Sequence, residues 1–236
     1  MTDDFSGFEQ RKKDHIALAL DPMHQTADEN GFDDFRFQHE AIPDLNFSDI
    51  EIQTQSLGQM RQTPFFISSM TAGHADAVKI NGHLLDACSQ TGWAMGVGSQ
   101  RRELTDEPAL MEWQSLRKSH PKVFLMANLG LAQVIHTPLT TIRKLAENLE
   151  AGAFIVHCNP LQECIQPEGT TNFKGAWQSL ERLVQELHIP VVVKETGCGF
   201  SKSTLQRLNR IGVHAIDVSG MGGTHWGRIE GSRAKD

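Results

Sequence analysis

Three polar positions carry the side chains best suited to chemistry. Lys194 directly follows three valines, and a lysine at the end of a buried strand either extends to solvent or meets an anion or an electron-rich ring. Glu163 follows Gln162 after a proline, where it is either a surface-loop residue or an oxygen ligand of the kind that Mg²⁺ prefers. His157 taken alone is better explained as a hydrogen-bonded core histidine. Together these types suggest a site for a charged ligand.

Several other chemistries lack their motifs. No Gly-x-Ser-x-Gly segment is present, so a serine hydrolase has no nucleophile. The histidines follow no metal-ligand spacing, which argues against zinc. The four cysteines form no Cys-x-x-Cys pair, which indicates a thiol-reduced compartment.

The elements that must position these residues form a repeated pattern from Pro64 onward. Short, nearly continuous apolar runs alternate with longer amphipathic stretches, as in parallel strands covered on both faces by helices. The runs are Phe65–Ser69, Trp93–Val97, Val123–Asn128, Phe154–Cys158, Val191–Lys194 and Ala215–Ser219. The intervening stretches, 74–90, 106–119, 138–151, 174–188 and 202–211, are predicted helices. Six βα units favour a (β/α)₈ barrel of the TIM type over a doubly wound sheet, since the first strand lacks a dinucleotide-binding glycine motif.

The carboxyl ends of all six runs are polar. Active sites of parallel βα folds lie beyond these ends, so we expect them to converge on one flat polar ligand. The glycine-rich segment 219–224 permits close backbone approach to such a ligand.

Composition restricts the partners. The 236 residues carry a net charge of −7 and a pI near 5.9, which argues against nucleic acid or an anionic membrane as the main partner. No apolar run is long enough to cross a membrane and the N-terminus is acidic, so a cytoplasmic protein is expected.

Residues 1–63 differ from the rest, with 13 acidic and 5 basic side chains. They are predicted to be an extension that packs on the barrel domain, residues 64–236, with short strands near Phe32–His39 and Ile50–Thr54. Their basic cluster, Arg11-Lys12-Lys13, is equally compatible with a solvated face.

Seven ordered motifs make the chain resemble the type 2, flavin-dependent isopentenyl-diphosphate δ-isomerases. They are Arg11-Lys12-x-x-His15, Ser69-Met70-Thr71-Ala72-Gly73, Gly98-Ser99-Gln100-Arg101, Ala127-Asn128-Leu129-Gly130, His157-x-Asn159-Pro160-Leu161-Gln162-Glu163, Lys194-Glu195-x-Gly197-x-Gly199 and Gly222-Gly223-Thr224 with Trp226. The resemblance covers nearly the whole chain. It implies a (β/α)₈ barrel, FMN, Mg²⁺, NADPH as reductant and a homo-oligomer, tetrameric or octameric.

The resemblance also implies a role for individual residues. It assigns FMN contacts to Met70, Thr71, Ala72, Ser99, Asn128, Lys194, Ser219 and Thr224. It assigns the substrate diphosphate to Arg11, Lys12, Ser99, Gln100, Arg101 and Gln162, and Mg²⁺ to Glu163. Gln162 and His157 are the implied catalytic residues, and the implied reaction converts isopentenyl diphosphate to dimethylallyl diphosphate, with reduced FMN handling the protons.

The sequence departs from the family in two places. Ala72 stands where the family usually has glycine. The sequence also stops at Asp236, after the sixth βα unit, so the phosphate-binding loops of strands seven and eight are not in it. A chain limited to these residues is expected to retain FMN weakly and to have little activity. The alternatives are an FMN barrel oxidoreductase of the 2-hydroxy-acid oxidase type and an inactive truncated remnant.

Overall fold

A computed structural model of the chain describes residues 5–26, 31–70, 75–220 and 223–234. Strands β1 (Thr54–Ser56) and β2 (Gln59–Arg61) form an antiparallel hairpin. The next six strands form one parallel sheet: β3 (Phe66–Ile67), β4 (Ala94–Gly96), β5 (Leu125–Gly130), β6 (Ala153–Cys158), β7 (Val191–Glu195) and β8 (Ala215–Asp217). Each of them overlaps one of the six predicted runs, so those strands are confirmed.

Helices flank this sheet; the first precedes it in the chain, the last follows it, and the others connect its strands. They are α1 (Phe5–Ala19), α2 (Ala75–Thr91), α3 (Glu107–Ser119), α4 (Leu131–His136), α5 (Leu139–Asn148), α6 (Pro160–Ile165), α7 (Ala176–Glu186), α8 (Lys202–Arg210) and α9 (Trp226–Arg233). The five predicted helices correspond to α2, α3, α5, α7 and α8. Within the described ranges, no helix is both long and apolar enough to cross a membrane.

The sheet curls into part of a barrel. Every strand pairs in parallel with its neighbour in the sequence, and the strand order runs unbroken from β3 to β8. In a flat sheet the two edge strands would lie roughly 24 Å apart, at about 4.8 Å per strand. Instead, Ser68 Oγ, just after β3, donates a hydrogen bond of 3.1 Å to Asp217 Oδ2 at the end of β8. The predicted (β/α)₈ type of fold, with about six βα units, is therefore confirmed.

Both faces of the central strands are packed with apolar side chains. Leu125, Phe154 and Val191 belong to a large buried cluster, whereas the alternating positions Ile155 and Val192 belong to a second, smaller one. Successive side chains of a strand point to opposite faces, so two apolar layers require continuous apolar runs. This explains why the strands were recognisable in the sequence.

The segment before the barrel was predicted less well. The strand expected at Phe32–His39 is wrong, since residues 31–39 form a turn followed by irregular backbone. The strand expected from Ile50 begins only at Thr54. The side chains of residues 31–53 are exposed, Phe37 completely so. An alternating pattern forms a strand only where a partner strand is available.

Phe154 tests this packing. It is fully buried in β6 between the two neighbouring central strands. Phe154→Ala should lower the free energy of unfolding by about 3–5 kcal/mol because it leaves a cavity. The matched change Phe37→Ala, at a fully exposed side chain, should alter it by less than about 0.5 kcal/mol. Urea unfolding followed by circular dichroism measures both, and equal losses would contradict the assigned core.

Candidate active site

The strand register places polar side chains in one row at the carboxyl end of the sheet. Gly130 of β5 lies opposite His157 of β6, His157 opposite Lys194 of β7, and Lys194 opposite Asp217 of β8. The row crosses four adjacent strands, so these residues lie along one rim of the barrel. The expectation that the polar strand ends converge holds for this part of the sheet.

A pocket opens beside His157. Its lining comes from α1 (Arg11, Lys12, His15), from the segment after β4 (Ser99, Arg101), from α4 (Gln133), and from the end of β6 with α6 (His157, Asn159, Gln162, Glu163, Gln166). Seven of the residues assigned to substrate, metal or catalysis by the resemblance are among them: Arg11, Lys12, Ser99, Arg101, His157, Gln162 and Glu163. They come from parts of the chain more than 150 residues apart, and only the fold brings them together.

Helix α1 brings positive charge into this pocket. Arg11 and His15 are four residues apart and both are buried, so one face of the helix points inward. Burial, followed by the nearby charge of Arg11, lowers the pKa of Lys12 to about 8; Arg101 acts in the same direction and Glu230 opposes them. Burial also lowers the pKa of Arg11, against the attraction of Glu168. Such crowding of cations favours an anionic ligand.

Two side chains with oxygen atoms that could bind a metal line the same pocket. Glu163 is buried in the first turn of α6, where Oε1 accepts a hydrogen bond of 3.1 Å from Asn159 Nδ2 and Oε2 accepts one of 2.6 Å from the backbone N–H of Thr170. Asn159 Oδ1 is also buried, and it has no hydrogen-bond partner within the described part of the chain. A carboxylate and an amide oxygen are ligands that Mg²⁺ accepts, together with substrate phosphates and water.

Glu230 joins three elements next to the pocket, and sequence reasoning did not single it out. This carboxylate on α9 is fully buried and accepts hydrogen bonds from His15 Nε2 (2.8 Å), Gln162 Nε2 (2.8 Å) and Arg233 Nη1 (2.6 Å). Burial alone would raise the pKa of Glu230, but the hydrogen bonds from His15, Gln162 and Arg233 prevail and lower it to about 2. In sequence, Glu230 and Arg233 look like an ordinary surface ion pair three residues apart on a helix.

His15 is uncharged in this arrangement. Burial lowers the pKa of its imidazole below the usual value, although the hydrogen bond to Glu230 acts in the opposite direction. At neutral pH the ring therefore donates Nε2–H to the carboxylate without carrying a charge of its own. The ring also meets Trp226 of α9 edge to face, at 5.1 Å between centroids, which fixes α1 against α9.

His157 is held as one neutral form. Its Nδ1 lies 2.8 Å from Asn128 Oδ1, while Asn128 Nδ2 donates to the carbonyl of Val97 at 3.0 Å. Asn128 therefore presents an acceptor, and Nδ1 of His157 carries the proton. Burial, followed by the charges of Lys194 and Lys12, lowers the pKa of His157 to about 3. Gly130 allows the ring this position, because a Cβ there would lie 3.0 Å from His157 Nε2.

Lys194 lies next to His157 on the rim. Its Nζ donates to the carbonyl of Glu195 (2.6 Å) and to Ser219 Oγ (3.0 Å), and Ser219 Oγ donates to Asp217 Oδ1 (2.8 Å). Burial lowers the pKa of Lys194, against the carboxylates of Asp217 and Glu195. Two residues that the resemblance assigned to FMN, Lys194 and Ser219, are therefore in direct contact.

The remaining predicted residues lie elsewhere. Gln100 is 1% exposed and does not line the pocket. Met70 is more than half exposed at the end of the segment after β3. Thr224 bridges to Gln25 and lines an adjoining cavity that also reaches Gln162. Thr71 and Ala72 lie outside the described residues.

Sequence comparison finds relatives along almost the whole chain. The chain is 62% identical over 234 residues to an isopentenyl-diphosphate delta-isomerase of Legionella pneumophila (strain Lens), covering 99% of this chain and 68% of that protein. It is 50% identical over 240 residues to the protein of the same name from Bdellovibrio bacteriovorus, covering 100% and 69%. With the one from Pseudescherichia vulneris the identity is 44% over 227 residues, covering 95% and 65%. No family model matches the chain.

Structure comparison finds the same fold in more distant proteins. A crystal structure of the monotopic membrane protein (S)-mandelate dehydrogenase superposes with a TM-score of 0.57 at 14% identity, covering 90% of this chain and 70% of that one. A soluble mutant of the membrane-associated (S)-mandelate dehydrogenase from Pseudomonas putida gives 0.53 at 12% identity, covering 91% and 62%.

Fold and pocket together define a partial α/β barrel with a cationic site at the carboxyl ends of its strands. With identities of up to 62% across the whole chain, it belongs to the isopentenyl-diphosphate delta-isomerase family, a family of isomerases.

The buried carboxylate of Glu230 makes a testable contribution to stability. Its pKa is about 2 in the folded chain, compared with about 4.3 in an unfolded one, so its stabilisation is complete above about pH 4.5 and is lost as the pH falls towards 2. In Glu230→Gln, the free energy of unfolding should lose roughly 2–3 kcal/mol less than in the wild type as the pH falls from about 4.5 to 2. Unfolding by urea at a series of pH values measures it. The exposed control Glu181→Gln should keep the wild-type slope, and an unchanged slope in Glu230→Gln would contradict the assignment.

Proposed function

We propose that this chain is the flavin-dependent, type 2 form of the family and converts isopentenyl diphosphate to dimethylallyl diphosphate in isoprenoid biosynthesis, with Mg²⁺ and reduced FMN. One observation carries the proposal. Three cationic side chains, Arg11, Lys12 and Arg101, share a pocket with the buried carboxylate of Glu163. The names of the relatives, all isopentenyl-diphosphate delta-isomerases, support the same substrate.

The cationic side chains suit a diphosphate. Arginine presents its N–H groups in a planar fork that matches phosphate oxygens, and lysine adds a point charge. Burial and neighbouring cations disfavour the charged forms of both Lys12 and Arg11, so an arriving dianion or trianion would stabilise both cations. We assign diphosphate binding to Arg11, Lys12 and Arg101, with Ser99 beside them.

The pocket also fits Mg²⁺. Glu163 would supply one carboxylate oxygen, and the unpartnered Asn159 Oδ1 would supply a second donor within the described part of the chain. Mg²⁺ characteristically takes one or two protein oxygens and completes its coordination with phosphate oxygens and water. The metal would then share the diphosphate charge with the three cations.

The rim of the barrel fits FMN. Lys194 uses two of its three N–H donors on Glu195 and Ser219, which leaves one for a ligand. Ser69 Oγ, at the end of the first barrel strand, is buried and has no hydrogen-bond partner among the described residues. When bound, reduced FMN supplies acid–base chemistry, and a lysine beside it stabilises an anionic ring. Lys194, Ser219, Asn128, Ser99, Met70, Thr71, Ala72 and Thr224 are the residues proposed to hold it.

The chain's own residues bind and orient the substrate. The amide of Gln162 is fixed at both ends, since Nε2 donates to Glu230 and Oε1 accepts from Asn159 Nδ2 at 3.1 Å. An unactivated alkene needs a strong acid, and neutral His157 with a pKa of about 3 carries no such proton at pH 7. We therefore propose that Gln162 and His157 contact and orient the substrate and do not themselves protonate the alkene.

The oxidoreductase alternative has less support. The mandelate dehydrogenases share the fold at 12–14% identity, whereas the isomerase relatives match at 44–62%. Further parts of the proposal are NADPH as reductant, a cytoplasmic location and a homo-oligomer. We also propose that residues 1–63 form an extension that packs on the barrel domain, residues 64–236. The contact of α1 with α9 supports this.

Direct assay separates the two activities. The chain is incubated with isopentenyl diphosphate, Mg²⁺, FMN and NADPH without oxygen, and ¹H NMR follows the methyl signals of dimethylallyl diphosphate. A parallel reaction offers lactate and glycolate with FMN in air. Because a chain limited to these residues is expected to have little activity, we expect slow isomer formation and no oxidation of either hydroxy acid. Oxidation of a hydroxy acid without isomerisation would overturn the proposal.

Glu163 provides the sharper test. Glu163→Gln keeps the size of the side chain but removes the charge and one of the two accepted hydrogen bonds, since an amide has a single acceptor oxygen. Turnover at limiting Mg²⁺ should therefore fall by about 10- to 100-fold, the scale of one charged contact. The loss should shrink as Mg²⁺ is raised. Glu181→Gln, on the exposed face of α7, should keep the wild-type Mg²⁺ dependence. Wild-type rates of Glu163→Gln at low Mg²⁺ would show that Glu163 does not bind the metal.

A further inference from the structure

Glu103 is a partly buried carboxyl group two residues after Arg101 of the pocket, with no part in the function proposed above. It lies on the short turn Arg102–Leu104 that follows β4. Its Oε2 accepts a hydrogen bond of 2.5 Å from Gln100 Nε2, and Gln100 is itself 1% exposed. A partly buried glutamate against a fully buried glutamine needs a reason, because both groups lose hydration.

The hydrogen bonds continue from Gln100 into the pocket. Gln100 Oε1 accepts from the backbone N–H of Asn128 at 3.1 Å, and the backbone N–H of Gln100 donates to the Asn128 carbonyl at 2.8 Å. The side chain of Asn128 then meets His157 Nδ1 at 2.8 Å. Glu103 is therefore connected to His157 through Gln100, which bonds the backbone of Asn128, and through the side chain of Asn128, which bonds His157.

We propose that Glu103 is a positioning residue that fixes the protonated nitrogen of His157 through Gln100 and Asn128. The acceptor at Glu103 satisfies Gln100 Nε2, while Gln100 Oε1 accepts from the Asn128 backbone N–H. Gln100 thereby holds the segment after β4, which carries the Val97 carbonyl, against β5, so that Asn128 Nδ2 stays on Val97 and Oδ1 stays on His157. The ring must then hold its proton on Nδ1, and Nε2 stays an acceptor for whatever occupies the pocket.

The state of Glu103 can change close to neutral pH. Burial and the charge of Glu112 on α3 raise the pKa of Glu103 to about 8, against the Gln100 hydrogen bond and the charge of Arg102. An ionised carboxylate accepts a hydrogen bond more strongly than a neutral acid. The hold on Gln100 therefore tightens as the pH rises through about 8, and His157 should sense the change through Asn128.

Imidazole NMR of the ¹⁵N-labelled chain tests this without any ligand or turnover. In the wild-type chain we expect a single His157 form, protonated at Nδ1, whose ¹⁵N shifts move with a midpoint near pH 8. Glu103→Gln offers an amide oxygen to Gln100, so it should preserve the form and abolish that midpoint. Glu103→Ala should leave a mixture of the two neutral forms.

Two control variants separate Glu103 from its neighbours. Lys12 faces the same histidine and also has a pKa near 8, so Lys12→Met must leave the Glu103-dependent midpoint in place. Glu107→Gln changes an exposed carboxylate four residues away and should leave the His157 spectrum unaltered. Circular dichroism verifies the fold of each variant, and Glu103→Gln decides the question if the alanine variant does not fold.

The outcomes are distinct. A midpoint near pH 8 that persists in Glu103→Gln, or a single Nδ1-protonated form in folded Glu103→Ala, would overturn the proposal. A consequence for the rate rests on the proposed function. The kcat of Glu103→Ala should fall about tenfold while KM stays nearly constant; a tenfold loss corresponds to about 1.4 kcal/mol in the activation free energy. Because NMR reports on the protein alone, failure of the proposed function would leave the spectroscopic result standing.

Discussion

The buried carboxylate of Glu230 is the constraint on which the rest of the site depends. A charge removed from water must be paired and hydrogen-bonded, or it is neutralised. Its partners lie on three separate elements: His15 on α1, Gln162 on α6 and Arg233 on α9 itself. Satisfying one buried group therefore fixes how the N-terminal helix sits over the strand ends.

This arrangement explains how a chain with an excess of acidic residues builds a cationic pocket. Arg233 also reaches Asp14 (3.5 Å) and Glu168 (2.9 Å), so acidic side chains are used outside the pocket to hold α1 and the loop after α6 in place. Arg11 and Lys12 can then face inward. The two histidines at the site stay neutral, so the positive charge is concentrated in groups that suit phosphate oxygens.

The barrel units were predictable from sequence because each strand is packed on both faces. Val191 and Val192 are both buried, on opposite sides of β7, and such strands are nearly continuous apolar runs. The polar strand ends were predictable for the same topological reason, and the register of His157 with Lys194 bears this out. What sequence could not supply was the contact between distant elements.

Three features show in physical terms what could not be predicted from the sequence. The basic cluster at Arg11 was compatible with a solvated face; Lys13 is exposed, whereas Arg11 is buried and lines the pocket together with Lys12. Glu230 looked like half of a surface ion pair. The strand expected at Phe32–His39 did not form, since local alternation has no energetic value without a neighbouring strand.

The most direct measurement is a crystal structure of the chain grown with isopentenyl diphosphate and Mg²⁺. We expect the diphosphate within hydrogen-bond distance of Arg11, Lys12 and Arg101, Mg²⁺ bound by Glu163, and the hydrocarbon chain beside Gln162 and His157. A diphosphate bound away from α1, or a metal that does not touch Glu163, would contradict the account.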